Sequence, residues 1–126
     1  MKIVNLTPHD LRIISMNGSD RTLPKSGKVM RCEVSRTQED FIDGIPVNKT
    51  EFGAITCYEP NPDNLWIYDK VVDVPAAEEG TYYVVSLACA QALKVIGRFE
   101  DILVTDDAVR DQTGRIIGCR ALAKVS

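Results

Sequence analysis

Residues that turn or break a backbone recur so often along this chain that only one segment has room for a helix. The breaks fall at Thr7-Pro8, Asn17-Gly18-Ser19-Asp20, Pro24-Lys25-Ser26-Gly27 and Asp43-Gly44. They continue at Glu59 through Asn64, Val74 through Gly80, Gly97, and Gln112-Thr113-Gly114. Proline fixes φ and removes a donor, and glycine admits positive φ, so each site ends a regular element or bends it. The pieces left between them are short and rich in β-branched and aromatic residues. Lys2–Leu6, Leu11–Ser15, Lys28–Val34, Glu51–Tyr58, the Trp66–Tyr68 region, Tyr82–Val85 and Ile102–Thr105 therefore read as strands. Ser35–Asp40 is polar and lacks alternation, so a loop or one helical turn is expected there.

The exception is Leu87–Ile96. Ser86 can cap its amino end, Lys94 suits its carboxyl end, and Gly97 can stop it in a left-handed conformation. Leu87, Ala90 and Leu93 are expected to share its packed stripe against a sheet. The carboxyl-terminal unit reads as a hairpin: Val109-Arg110-Asp111, a turn, then Arg115 through Val125. The expected fold class is α+β: one β-rich small domain over residues 1–126, a curled sheet or small barrel, with its main helix near residues 87–96.

A chain of 126 residues that is 44% hydrophobic and 26% charged can hold itself together by burial, without disulfides or a structural metal. Its net charge of −3 disfavours nucleic acid as a partner, because phosphate neutralisation needs concentrated Lys and Arg. The charge is unevenly spread. Residues 1–36 carry seven basic and three acidic groups, against eight and fifteen in residues 37–126, a bias that suits self-association or a charged partner. Cys32, Cys57, Cys89 and Cys119 form no CxxC pair and adjoin apolar residues, so they read as small buried hydrophobes. No signal-peptide region or membrane-length apolar run is visible, which leads to the expectation of a cytoplasmic protein with no membrane partner.

Two polar regions carry the chemistry that could matter. Thr7-Pro8-His9-Asp10 places an imidazole beside a carboxylate, a pair suited to proton exchange or ligand binding as well as to holding a turn. Arg98, Asp101, Asp106, Asp107, Arg110, Asp111, Arg115 and Arg120 make a second cluster in sequence. Arginine can grip a phosphate or carboxylate through directed hydrogen bonds, while interleaved acids can pair with it structurally. The candidate ligand-binding residues are therefore Thr7, His9, Arg98, Arg110, Arg115 and Arg120. His9 and Asp10 are the candidates for any acid–base catalysis. No metal set and no cofactor motif can be named: Gly114-Arg115-Ile116-Ile117-Gly118 is not a dinucleotide fingerprint, and no Walker or nucleophile-elbow sequence is present.

The opening Asn5-Leu6-Thr7-Pro8-His9-Asp10, the segment Tyr83-Val84-Val85-Ser86, and Val109 through Arg120 together resemble a family of small bacterial and phage proteins. The resemblance implies a phage or prophage context and assigns no reaction. The leading expectation is a non-enzymatic module that binds a small anionic ligand or another protein, with a homo-oligomer as one form of that association. An enzyme using His9 with a carboxylate and a phage structural or scaffold protein are the alternatives.

Overall fold

The computed structural model describes residues 1–125. The strands are β1 (Lys2–Asn5), β2 (Leu11–Ile14), β3 (Asp20–Leu23), β4 (Val29–Ile42), β5 (Ile45–Asn61), β6 (Asn64–Val72), β7 (Thr81–Val84), β8 (Ile102–Arg110) and β9 (Ile116–Lys124). The helix α1 spans Leu87–Val95. The α+β, strand-rich expectation holds. The strands form two open sheets, and neither closes into a barrel.

The larger sheet has the order β1-β7-β8-β9-β2-β3. Its β1, β7 and β8 are parallel, and α1 makes the crossover from β7 to β8, the connection that parallel neighbours require. The β8–β9 hairpin follows, and β2 joins β9 in parallel through the single position Ile13↔Cys119. The smaller sheet is the antiparallel β4-β5-β6. Leu6, Met30, Tyr83, Val85, Leu93 and Ile102 belong to the core cluster that unites α1 with both sheets. Among the described residues, no helix is long and apolar enough to cross a membrane.

The helix is capped as its sequence requires. The Ser86 side chain accepts from the Cys89 N–H, and Gly97 takes φ 89°. The buried positions, however, are Cys89, Ala90, Ala92 and Leu93, while Leu87 is exposed. A step of three residues falls about 60° short of a full turn, so Leu87 lies roughly 120° around the helix from Leu93. All four cysteines are buried free thiols. Removal from water is the main reason that Cys32, Cys57 and Cys89 are pushed above the ordinary thiol pKa.

The largest departure lies at Ser35–Asp40. This segment is neither loop nor helical turn: β4 continues through it to Ile42 and pairs with β5 along its length. The reversal at Asp43-Gly44 has positive φ at both residues, 51° and 74°, the requirement of a tight hairpin turn whose twist matches its strands. Backbone pairing sustains the ribbon where no buried face imposes alternation. Pro60 also lies inside β5, at a register shift, which is where a sheet tolerates the missing donor.

Candidate functional site

The Thr7–Asp10 turn is organised by Asn5, which is 2% exposed. Its Nδ2 donates to the carbonyls of His9 at 2.9 Å and Leu23 at 3.1 Å. Its Oδ1 accepts from the Thr7 N–H at 2.9 Å and the Thr7 hydroxyl at 2.6 Å. One buried amide thus fixes the end of β1, the turn and the end of β3 together. Asp10 is engaged locally as well, accepting the Lys25 N–H at 2.9 Å. Among the described residues, the His9 ring has no carboxylate partner.

His9 and Asp10 line a cleft of about 520 Å³ with Asp106 and Asp107 of β8 and Ile116 through Cys119 of β9. The amino-terminal turn and the carboxyl-terminal hairpin therefore meet within one chain. Gly118 makes the close approach possible, since a Cβ there would lie 2.7 Å from the Arg12 carbonyl oxygen.

The arginines do not converge on this cleft. Arg98 sits at the opposite end of β8, where it donates to both Asp101 oxygens and to the Pro75 carbonyl at 2.6 Å. It is a clamp between the helix exit and the entry to β8. Arg110 donates to the Gly114 carbonyl at 2.8 Å, inside the hairpin turn. In that turn Asp111 accepts from the Thr113 hydroxyl and the Arg115 and Thr113 N–H groups, and these bonds hold its carboxyl below the usual pKa. Arg120 reaches the Ile14 carbonyl at 3.4 Å, and the Arg115 side chain is exposed. Among the described residues, no three His, Cys, Asp or Glu side chains are placed to hold a metal ion.

Thr7 is turned toward a different surface. Two adjoining hollows, of about 180 and 290 Å³, share Thr7, Pro8 and Val29. Pro62, Leu65 and Trp66 extend them as one apolar groove. Its charged lining residues are Lys25 and Arg31, and no carboxylate contributes. The Arg31 guanidinium lies 5.0 Å from the centre of the Trp66 ring. The ring of Tyr68, beside Trp66 on β6, stacks on buried Tyr58 at 3.9 Å.

The remaining surface feature is the β4–β5 arm. From Glu33 to Glu51 every residue is exposed except half-buried Val47. At about 3.4 Å per residue, the stretch from Val34 to Ile42 projects roughly 27 Å. Its tip displays Phe41 at 58% exposure and Ile42 and Ile45 at 64% each. Residues 39–45 also hold three carboxylates, Glu39, Asp40 and Asp43, and no cation.

Sequence reading missed the arm because its strands lack alternation. It missed the groove because Pro8, Val29 and Trp66 are distant in sequence. The nearest signal for the arm was Asp43-Gly44 between two β-prone runs. No family model, curated protein or solved structure matches this chain.

Proposed function

We propose that this protein is a non-enzymatic interaction module that associates with further copies of itself through the β4–β5 arm. The observation that carries this reading is the arm's apolar tip, which projects from the body with nothing of its own chain over it. A two-stranded ribbon is marginal in water unless a further strand or a packed face supports it. β6 supplies that support only at the root, where it pairs with Cys57 through Asn61 of β5. The outer ribbon leaves strand edges and large apolar side chains to be covered by association. The phage resemblance is compatible with such a subunit, since small structural proteins act by repeating one contact.

The charge bias along the sequence supports a second copy as the partner. The acidic tip belongs to one part of the chain and basic Lys25 and Arg31 to another, so two copies can satisfy each other. The test is sedimentation velocity of the unaltered protein and of a Phe41→Asp/Ile45→Asp chain. The unaltered protein is expected to gain mass with concentration. The double variant is expected to stay monomeric with the same far-ultraviolet circular dichroism, because both side chains are already exposed. Equal association of the two proteins, or a monomer throughout, would overturn the reading.

A further inference from the structure

Resting on the reading of the arm as an association element, we infer that the Pro8–Val29–Trp66 groove is the receptor for the arm tip of a second copy. The tip joins three exposed apolar side chains to three carboxylates and carries no cation. The groove joins apolar walls to Lys25 and Arg31 and carries no carboxylate. The two surfaces are therefore complementary in both properties.

The alternative seats fit less well. Tip against tip would set Glu39, Asp40 and Asp43 of one copy beside the same carboxylates of the other, and juxtaposed like charges oppose association. The cleft at His9 would meet the tip with Asp10, Asp106 and Asp107, and its one arginine, Arg12, is already paired with Asp20. In the groove the Trp66 ring and the Arg31 guanidinium lie together, so an apolar surface and a cation are offered at one place. Phe41 is the side chain suited to the ring, and the tip carboxylates are the groups suited to the cation.

Each copy has one tip and one groove. Contacts can close reciprocally into a dimer or run head to tail into a ring or filament. In either arrangement the contact is between unlike surfaces. The Thr7-Pro8 turn then serves as part of a protein-binding surface, and the anion it faces is a side-chain carboxylate of another subunit.

The experiment uses two charge-reversed full-length chains, Lys25→Glu/Arg31→Glu and Glu39→Lys/Asp40→Lys. All four positions are exposed, and unchanged circular dichroism confirms that each chain folds. Sedimentation velocity at low salt is expected to show each chain alone associating roughly a hundredfold more weakly than the unaltered protein. An equimolar mixture is expected to regain association in assemblies that contain both chains, because the basic tip of one chain meets the acidic groove of the other. If the groove-reversed chain associates like the unaltered protein while Phe41→Asp/Ile45→Asp does not, the groove assignment is overturned and the arm reading stands. If Phe41→Asp/Ile45→Asp also associates normally, both fail.

Discussion

Replacing Asn5 with alanine is expected to lower the unfolding free energy by about 3–4 kcal/mol, since an orphaned buried polar group costs ~1–3 kcal/mol and this change strands several. The Asn5 side chain donates to the His9 and Leu23 carbonyls and accepts from the backbone and hydroxyl of Thr7. Alanine removes all four bonds at a position only 2% exposed, and the Leu23 carbonyl is the most deeply buried of the groups left behind. The backbone carbonyl of residue 5 keeps its bonds from the Ser26 N–H and hydroxyl, so the strand itself persists. Urea unfolding should show an earlier midpoint with an unchanged slope. Asn5→Asp should also destabilise, because a carboxylate can accept from Thr7 but cannot donate to either carbonyl. A loss below about 1 kcal/mol in the alanine variant, no more than one ordinary hydrogen bond, would remove Asn5 from its organising role.

The second large effect is expected at Gly118. An added Cβ would sit 2.7 Å from the Arg12 carbonyl oxygen and 2.9 Å from Cδ1 of Ile14. The Ile14 side chain can turn away, but the carbonyl belongs to a strand and cannot. Gly118→Ala should therefore cost about 2–3 kcal/mol, the upper part of the range for overpacking. The strain falls on a thin junction, since Ile13↔Cys119 is the single ladder position joining β2 to β9. Amide exchange should accelerate first in β2 and β3, while the β7–β8 pair keeps its protection. Gly53→Ala is the milder comparison, because the nearest atoms it meets belong to the exposed Glu33 side chain at 3.1 Å. Equal losses in the two variants would show that close backbone approach at Gly118 is not what holds the β2–β3 hairpin.

Local backbone chemistry was legible: the Ser86 cap, the Gly97 stop, the Asp43-Gly44 reversal and the Asp111–Gly114 turn all lie where residue types place them. Asn5 was legible as part of a strand but not as a buried hub, because a polar residue in a short alternating segment looks like a solvent-facing one. The arm was hidden for the opposite reason. Period-two alternation arises when one face of a strand is buried, and between Glu33 and Glu51 neither face is, so Ser35–Asp40 resembled a loop. Arg98 and Arg120 were visible as arginines, and Asp101 lies only three residues from Arg98, but the bonds to the Pro75 and Ile14 carbonyls depend on long-range placement. The charge bias between the two parts of the sequence was visible, and its proposed meaning needed the tip and the groove to be located.

The arm is also what ties local structure to function. A ribbon of this length is stabilised by its turn and by cross-strand pairing, yet it is held to the body only at its root. Such an element can belong to a lasting structure when something covers it. In the proposed association the tip and groove would offer that cover between copies, with apolar contact supplying affinity and the Lys25, Arg31 and tip carboxylates fixing orientation.

The most direct measurement is amide hydrogen exchange across the arm as the protein is concentrated. Association through the arm predicts that exchange between Ser35 and Lys49 slows progressively with concentration, while the Asp111–Arg115 turn exchanges at a constant rate. Arm amides that exchange equally fast at every concentration, in a protein whose body remains protected, would contradict the account.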